Sequence, residues 1–358
     1  MSTKIHNFSA GPGILPAEVM KKASEACINF KHSGLSLLEI SHRSKDYIEV
    51  MDEARSIIKQ LFELGNDYEV LYLGGGASLQ FGMVPYNLLS DGGYAAYVNT
   101  GTWASKAIQE AQKIGRVSVI ASSEDKNFSY IPKNYTIPSD ADYFHITSNN
   151  TIYGTQIKEF PKSNIPVVCD MSSDIFSRKV DANQFALIYA GAQKNMGPAG
   201  ATLVVIRKDM VGKTTRKKLS MLDYAVHIKG ESMYNTPPVF PVYVVLETLK
   251  WLQANGGVSW IEKINNAKAE LLYNEIDTNP LFYGTAAKED RSYMNVCFLL
   301  HNPELETAFE KTTKEAGISG IKGHRSVGGY RASIYNAMPI ESVKVLVETM
   351  KEFAIKHG

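Results

Sequence analysis

Short apolar runs alternate with amphipathic segments over residues 16–208. Apolar runs of this kind, bounded by turn residues, predict buried β-strands. Seven such runs occur: YEVLYL (68–73), YAAYVN (94–99), RVSVIA (116–121), DYFHIT (142–147), IPVVCD (165–170), FALIYA (185–190) and ATLVVIRK (201–208). Helical spacing of apolar residues predicts helices over 16–31, 46–64 and 100–115, and a helix with a proline irregularity over 80–89. Strands that alternate with helices in this way form a mostly parallel sheet covered by helices.

The pattern changes after the predicted helix at 242–255, where Gly256 and Gly257 interrupt the chain. Beyond them the spacing predicts the following elements: helices at about 258–276 and 303–316, and strands at 294–300 and 332–337. We therefore expect an α/β protein. Its large domain, residues 16–256, has a mostly parallel, mixed sheet flanked by helices, and residues 1–15 with 257–358 form a smaller α+β domain.

Composition and charge exclude several classes of protein. The 358 residues include 38 basic and 37 acidic side chains, so the net charge of +1 favours neither a nucleic-acid nor an anionic-membrane partner. Cys27, Cys169 and Cys297 lack metal-ligand spacing, so we expect reduced core thiols and no metal site. The N-terminus lacks the apolar core of a secretory signal, and no apolar run could cross a bilayer. We expect a soluble, cytoplasmic protein.

Candidate chemistry lies where predicted strands end, because ligands of open α/β sheets bind outside the carboxyl ends of the strands. The first strand is followed by Gly74–Ser78, which forms either a tight turn or a cradle of backbone N–H groups for phosphate. Asp170 closes another strand and either caps the following turn or accepts a proton from a ligand ring nitrogen.

Lys194 follows the next strand, within GAQKNMGPAG (191–200). A single lysine is usually a solvated surface residue, but apolar runs and small residues flank this one. A desolvated amine loses proton affinity and becomes a nucleophile for carbonyls. A lysine, an acidic residue and a phosphate cradle on strand ends are together the three features that pyridoxal phosphate requires.

AQKNMGPAG (192–200) resembles the lysine motif of the phosphoserine aminotransferases, which belong to the class V branch of fold-type I pyridoxal-phosphate enzymes. The resemblance covers the whole chain. It includes these motifs: FSAGPGILP (8–16), SHRSKDY (41–47), GGGASLQF (74–81), TGTWASKA (100–107), NNTIYGT (149–155), YNTPP (234–238) and GHRSVGGYRASIYNA (323–337).

The resemblance implies a role for each residue around the cofactor ring. Lys194 would form the covalent bond to pyridoxal phosphate, and Asp170 would keep the ring nitrogen protonated. Trp103 would stack on the ring, although by itself it would be interpreted as a core aromatic residue. Thr151 would hydrogen-bond the phenolic oxygen of the ring.

The resemblance also implies how the cofactor phosphate is held. Ala77 and Ser78 would donate backbone N–H groups, with Gln193 beside them. Asn235 and Thr236 would reach the phosphate from a neighbouring subunit, which implies an obligate homodimer with shared sites. Some relatives carry arginine where this chain has Ser78, so the substrate site here has one cation fewer.

Arginine and histidine residues form the predicted substrate site. Any one of them could be part of a surface salt bridge, but no local acidic excess accompanies the pair His324-Arg325 or the nearby Arg331. Arginine binds carboxylate and phosphate in a bidentate manner. By resemblance, Arg331 binds the α-carboxylate, while His42 and Arg43, with His324 and Arg325 of the second subunit, hold the distal anionic group.

The implied reaction is a two-stage transamination between L-glutamate and 3-phosphohydroxypyruvate, which gives O-phospho-L-serine and 2-oxoglutarate in serine biosynthesis. The family analogy extends to 4-phosphohydroxy-L-threonine formation in pyridoxine biosynthesis. Two alternatives stay open. One is another class V activity, such as a serine–glyoxylate aminotransferase or a cysteine desulfurase, and the other is a non-catalytic cofactor-binding or interaction protein.

Overall fold

The computed structural model describes residues 4–358. Within them lie nine α-helices: α1 (Ala17–Ile28), α2 (Lys45–Leu61), α3 (Gly76–Leu88), α4 (Thr102–Gln112), α5 (Tyr224–Lys229), α6 (Val239–Ala254), α7 (Gly257–Thr278), α8 (Glu306–Glu315) and α9 (Ile340–His357). None of these helices combines the length and the apolar character that crossing a membrane would require.

The same residues contain fourteen β-strands: β1 (His6–Asn7), β2 (Tyr68–Leu73), β3 (Tyr94–Asn99), β4 (Arg116–Ser122), β5 (Tyr143–Thr147), β6 (Asn149–Asn150), β7 (Thr155–Gln156), β8 (Val167–Asp170), β9 (Leu187–Gly191), β10 (Thr202–Arg207), β11 (Phe282–Gly284), β12 (Asn295–Leu300), β13 (Ile318–Ser319) and β14 (Tyr330–Ser333). The strands predicted at 68–73 and 94–99 are confirmed residue for residue. The helices α5 and α9 were not predicted.

Seven strands form the main sheet, in the order β2-β10-β9-β8-β5-β3-β4. The neighbours from β9 to β4 are parallel, whereas β10 runs antiparallel to both β9 and β2. The expected mostly parallel, mixed sheet flanked by helices is therefore confirmed.

The reversal at β10 follows from the connection that precedes it. Parallel neighbours need a crossover of about a dozen residues or more, usually through a helix. Residues 192–201 contain no helix and return the chain directly beside β9, so that Gly191 pairs with Thr202. This connection, which carries Lys194, consequently stays at the edge where β9 ends.

Several strands end at this same edge of the main sheet. Strands β9, β8 and β5 are parallel, and β2 points the same way because both it and β9 are antiparallel to β10. Their last residues are Leu73, Thr147, Asp170 and Gly191. The segments after these residues therefore converge, as the sequence predicts for a ligand site.

A second, smaller sheet is formed by β11, β12 and β14, all antiparallel. Its core contains aromatic rings in edge-to-face contact, with centroids 5.0 Å apart for Phe282 and Phe309 and 5.1 Å apart for Phe309 and Phe353. Strand β1 pairs in parallel with β13, so the N-terminal segment joins this part of the molecule. The expected smaller α+β unit is confirmed as part of the fold.

Helix α7 packs into both apolar cores. Ile261 belongs to the core beneath the main sheet, whereas Ala269 and Leu272 belong to the core of the small sheet. The division of the chain at residue 256 stays a prediction, because the helix that follows it contacts both parts.

The strand predicted at 332–337 begins earlier, at Tyr330, and ends at Ser333. The buried amine of Lys268 explains this end, because it donates hydrogen bonds to the carbonyls that follow the strand. Its Nζ donates to Ile334 O at 2.9 Å, to Tyr335 O at 2.7 Å and to Met338 O at 3.2 Å. These carbonyls converge on one nitrogen, so the backbone turns instead of extending the ladder.

The glycine-rich segment after β2 is shorter than the predicted turn, because α3 already begins at Gly76. Gly75 precedes it with φ 87°, in the left-handed region that favours glycine. A Cβ at Gly75 would lie 2.7 Å from the Cβ of Leu79, whereas a Cβ at Gly74 would meet open space.

We expect Gly75→Ala to lower the free energy of unfolding by about 1–3 kcal/mol, because the left-handed backbone and the Leu79 contact both oppose a side chain. Gly74→Ala is the matched control and should change it by less than about 0.5 kcal/mol. Urea unfolding followed by circular dichroism measures both values. Equal losses in the two variants would contradict the proposed strain.

Candidate active site

A cavity of about 130 Å³ lies at the edge where the strands of the main sheet end. It is bounded by the N-termini of α3 and α4 and by the segments that follow β5, β8 and β9. Seven of the predicted site residues line it: Ala77, Ser78, Trp103, Thr151, Asp170, Gln193 and Lys194. A larger groove of about 810 Å³ lies between residues 131–139 and 157–165, but no predicted site residue lines that groove.

The Lys194 amine lies inside this cavity. Its Nζ donates to Thr151 Oγ1 at 2.8 Å and lies 5.8 Å from the centroid of the Trp103 ring. Loss of hydration lowers the pKa of Lys194 to about 8; the Arg331 charge adds to this effect, and the Asp170 charge opposes it. Part of the amine is therefore unprotonated near neutral pH, which is the form that attacks a carbonyl.

The N-terminal segment covers Lys194 from the side of the small sheet. A Cβ on Gly11 would lie 3.6 Å from Lys194 Cγ, and the Gly13 N–H donates to Gln193 O at 2.7 Å. The hydroxyl of Tyr335 donates to Ala10 O at 2.6 Å, which ties this segment to the turn after β14. Residues far apart in sequence therefore hold the lysine loop.

Asp170 is buried at the end of β8, with 5% of its surface exposed. Its Oδ1 accepts a hydrogen bond from the Ser172 N–H at 2.9 Å. Burial raises the pKa of the carboxyl group, while the Ser172 hydrogen bonds and the Lys194 charge oppose this rise. A cationic ligand group beside Asp170 would stabilise its charged form.

The start of α3 presents unpaired backbone donors to the same cavity. No side chain caps this helix, and the N–H groups of Gly76, Ala77 and Ser78 have no acceptor within residues 4–358. The first turn of a helix carries partial positive charge, and its free N–H groups suit a phosphate group.

Two further donors at the cavity lack partners. Trp103 Nε1 and Thr147 Oγ1 are buried, and neither makes a hydrogen bond within the part of the chain that the structure describes. Buried polar groups are normally paired. Together with the lysine, the carboxylate and the helix start, they fit an anionic aldehyde cofactor that has a basic ring nitrogen.

The structure brings two of the predicted substrate residues together. Arg331 Nη1 donates to Thr151 O at 3.3 Å, so the guanidinium lies beside the partner of Lys194. Burial lowers the pKa of His324, and the charges of Arg331, Arg325 and Lys106 lower it further. His324 of this chain therefore lies near this chain's own Arg331, while its assignment to a second subunit's site stays a prediction.

The other predicted residues do not line the cavity in the single chain. Arg43, Asn235 and Thr236 are exposed, and Asn235 Nδ2 donates to Thr236 O at 3.1 Å. His42 Nε2 is buried without a partner among the described residues. The roles of Asn235 and Thr236 thus depend on a second chain, as the resemblance implies, and the roles of His42 and Arg43 stay predictions.

Several residues in or beside the cavity are not among those predicted from the sequence. Thr147 ends β5, so the same argument from strand ends could have found it. Ser172 lies two residues after Asp170, but no pattern indicates its contact with that carboxylate. Gly11 had no signal beyond its motif, because its approach to Lys194 is a contact between distant parts of the chain.

Comparisons with known proteins agree with this geometry. A model of the aminotransferase class-V family matches residues 5–346. The chain is 65% identical over 354 residues to a phosphoserine aminotransferase of Flavobacterium johnsoniae, with 99% of each covered. It is 56% identical over 356 residues to that of Parabacteroides distasonis, with 99% of this chain and 100% of the relative covered.

Solved structures extend the likeness to three dimensions. A phosphoserine aminotransferase from Bacillus circulans subsp. alkalophilus superposes with a TM-score of 0.97 at 45% identity, with 99% of each chain covered. A pyridoxal-phosphate-bound phosphoserine aminotransferase from Trichomonas vaginalis gives a TM-score of 0.93 at 35% identity, covering 97% of this chain and 100% of that one.

Because only the neutral amine attacks aldehydes, cofactor-free protein should capture an aldehyde covalently at a rate that rises from about pH 7 to about pH 9. The midpoint should lie near 8, the lowered pKa of Lys194, not at the ordinary lysine value of 10.5. Borohydride trapping followed by peptide mass spectrometry measures the rate and the site. Lys194→Ala should abolish the adduct, and an unchanged yield in that variant would refute the assignment.

Proposed function

The chain belongs to the phosphoserine aminotransferases of the aminotransferase class-V family, and from that premise we propose the reaction that it catalyses. It transfers an amino group reversibly between L-glutamate and 3-phosphohydroxypyruvate, giving O-phospho-L-serine and 2-oxoglutarate for serine biosynthesis. The observation that carries the proposal is the Lys194 amine inside a cavity with Asp170 and the start of α3. Full-length identities of 64% and 65% to phosphoserine aminotransferases support the choice of substrate.

The residues of the cavity would hold pyridoxal phosphate at three points. Ala77 and Ser78 would donate N–H groups to its phosphate, with Gln193 beside them, and the Asp170 carboxylate would accept from its ring nitrogen. Trp103 would pack on the ring face, and its Nε1 donor, which has no partner among residues 4–358, is consistent with an occupant of this cavity. The bound cofactor supplies an aldehyde that takes up the amino group and a ring that withdraws electrons from the substrate α-carbon.

Lys194 acts as the base and the acid of the reaction. With the cofactor bound, its Nζ would take the proton from the substrate α-carbon, and the resulting ammonium would return a proton in the second half of the transfer. A pKa of about 8 suits both directions near neutral pH. Thr151 Oγ1 holds this nitrogen at 2.8 Å and orients it before substrate binds.

Arg331 orients the substrate by its α-carboxylate. Its Nε is buried and unpaired within residues 4–358, and its Nη1 already contacts Thr151 O, so the guanidinium is fixed with one edge free. A planar guanidinium binds carboxylate in a bidentate manner. The distal phosphate or carboxylate is held by His42 and Arg43 together with His324 and Arg325 of the second subunit.

We further propose that two chains form a homodimer with shared sites. Exposed apolar side chains accompany the residues that do not reach the cavity in the single chain. Tyr234, 48% exposed, precedes Asn235, while Leu35 and Leu38 are 50% and 64% exposed on the segment before His42. A second copy would bury these side chains and bring Asn235 and Thr236 to its neighbour's cofactor phosphate.

The proposal extends to the domain organisation and the cellular compartment of the protein. Residues 16–256 would form the cofactor-binding domain, and residues 1–15 with 257–358 the smaller domain that carries Arg331. All three cysteines are unpaired, which suits a reducing cytoplasm.

A cysteine desulfurase is disfavoured by the thiols themselves. Such an enzyme needs a reactive cysteine near the cofactor, and no cysteine lines the cavity. Cys169 and Cys297 are buried, and burial raises the pKa of Cys297 to about 12. These thiols therefore stay protonated and unreactive.

The test of the proposal is a visible spectrum of the protein loaded with pyridoxal phosphate. L-glutamate should bleach the absorption band of the aldehyde form, and 3-phosphohydroxypyruvate should restore it with release of O-phospho-L-serine. Arg331→Ala should lower the kcat/KM for L-glutamate by a factor corresponding to about 2–5 kcal/mol, as expected when one partner of a buried charge pair is removed.

Arg43→Ala serves as the comparison, because it should affect the distal group and leave the α-carboxylate contact intact. A spectrum that glutamate does not change would refute the transamination. An unchanged kcat/KM in Arg331→Ala would refute the carboxylate assignment alone.

Shared sites predict that two inactive variants restore each other. In a hybrid of Lys194→Ala and Asn235→Asp chains, one site combines an intact lysine with an intact Asn235 from the neighbour. A statistical mixture should then show about one quarter of the wild-type activity. Asn255→Asp, an exposed change at the end of α6, is the control and should stay active alone. A mixture as inactive as its components would contradict the shared site.

A further inference from the structure

Lys106 follows Trp103, which lines the active-site cavity, by one helical turn on α4, and its side chain contacts the Trp103 ring. Its Nζ is 4.8 Å from the centroid of the Trp103 ring, and Lys194 Nζ is 5.8 Å from the same centroid. The two ammonium nitrogens are thus separated by no more than the sum of these distances. Residues three apart lie on one face of a helix, so this placement follows directly from the sequence once α4 is positioned.

The start of α4 is held against the segment that carries Thr151. Thr102 Oγ1 and the Tyr153 hydroxyl are 3.1 Å apart and hydrogen-bonded. A Cβ on Gly101 would lie 3.0 Å from Asn150 Oδ1, so the helix approaches this segment closely. The backbone from which Lys106 extends is therefore fixed relative to the hydrogen bond between Lys194 and Thr151.

Lys106 and the two arginines near His324 have no acidic partners among the described residues. Within residues 4–358, no salt bridge involves Lys106, Arg325 or Arg331. By contrast, Lys113 at the other end of α4 pairs with Glu110 at 2.7 Å. The charges of Arg331, Arg325 and Lys106 all act on His324, so these cations lie near one another and form a local positive group. It creates a positive potential that favours an external anion.

His324 lies within the same group but contributes little permanent charge. Burial and the charges of Arg331, Arg325 and Lys106 lower its pKa below the ordinary value of 6.5. This shift disfavours the charged ring, and the permanent charge beside it comes from the lysine and the arginines. Since Arg331 is assigned to the α-carboxylate, Lys106 is available for the distal group.

Resting on the proposed function, we propose that Lys106 binds the distal phosphate of the phosphorylated substrate and makes the site favour it over the dicarboxylate substrate. An ammonium is a compact charge with three donors, which suits phosphate oxygens. A phosphomonoester carries about two negative charges near neutral pH, whereas the side-chain carboxylate of glutamate carries one. Removing one cation therefore weakens binding of the phosphate more than that of the carboxylate.

The experiment compares Lys106→Met with Lys106→Arg and with Lys113→Met in the cofactor-loaded protein. Methionine keeps the unbranched side chain against Trp103 but removes the charge. We expect the KM for O-phospho-L-serine to rise about tenfold in Lys106→Met, which is the loss of one charged hydrogen bond. The KM for L-glutamate should change less than about threefold, and kcat should be preserved. Lys106→Arg should restore most of the affinity, and Lys113→Met should match the wild type.

A binding measurement separates this inference from the proposed function. 3-Phosphoglycerate carries the phosphate and the carboxylate but has neither an amino nor a keto group to react. Calorimetry should show about tenfold weaker binding of it to Lys106→Met than to the wild type. If the wild type fails to transaminate O-phospho-L-serine, the proposed function fails, while this comparison still decides the role of Lys106.

Two results would overturn the role of Lys106. One is unchanged affinity for both phosphorylated ligands in Lys106→Met. The other is an equal loss for L-glutamate and O-phospho-L-serine, which would show that Lys106 only supports the packing of Trp103.

Discussion

The site depends on one constraint, which is that the Lys194 amine and the Asp170 carboxyl group are both removed from water. Lys194 and Asp170 share a small cavity, and desolvation opposes the charged form of each, lowering one pKa and raising the other. The charge of each group opposes the shift of its neighbour, and no direct hydrogen bond joins them among the described residues. An occupant that reacts with the amine and presents a cation to the carboxylate relieves both costs.

The fold keeps this arrangement at one edge of the main sheet. Because β10 reverses direction beside β9, the loop that carries Lys194 stays next to the end of β8, where Asp170 lies. The small sheet then closes over it from the other side. Asn336 N donates to Asn195 Oδ1 at 3.0 Å, so the segment after β14 contacts the residue next to Lys194. Arg331 on β14 is positioned by the same packing.

Charge is distributed unevenly around this cavity, although the chain as a whole is almost neutral. Lys106, Arg325 and Arg331 form no salt bridge among the described residues, which leaves a positive potential where an anionic substrate enters. The buried amine of Lys268 is held by three carbonyls and has no carboxylate partner among the described residues. Burial lowers its pKa to about 7, so hydrogen bonding to carbonyls does not keep this amine fully charged in the interior.

The sequence by itself determined the strands and the residues that end them. It therefore also determined the chemistry at the edge of the main sheet where Lys194 lies. Continuous apolar runs bounded by glycine or polar residues specify strands such as β2 and β3 through local burial alone. The positions of Asp170 and Lys194 directly after such runs place both at one edge once the strands are parallel. The roles of Trp103 and of the phosphate-binding residues came from the family resemblance and not from the pattern, since an aromatic residue early in a helix packs equally well in a core.

Only the tertiary structure decided which distant residues meet at that edge. The contact of Arg331 with Thr151 and the N-terminal segment over Lys194 both join parts of the chain that no local pattern relates. Neighbouring segments likewise decide the direction of β10 and the early end of β14. Strand β10 pairs with β2 and β9, both antiparallel to it. The carbonyls that follow β14 accept hydrogen bonds from Lys268 and are not available to a neighbouring strand. Local sequence specifies which groups are available, whereas packing of the whole chain specifies which of them are brought within bonding distance.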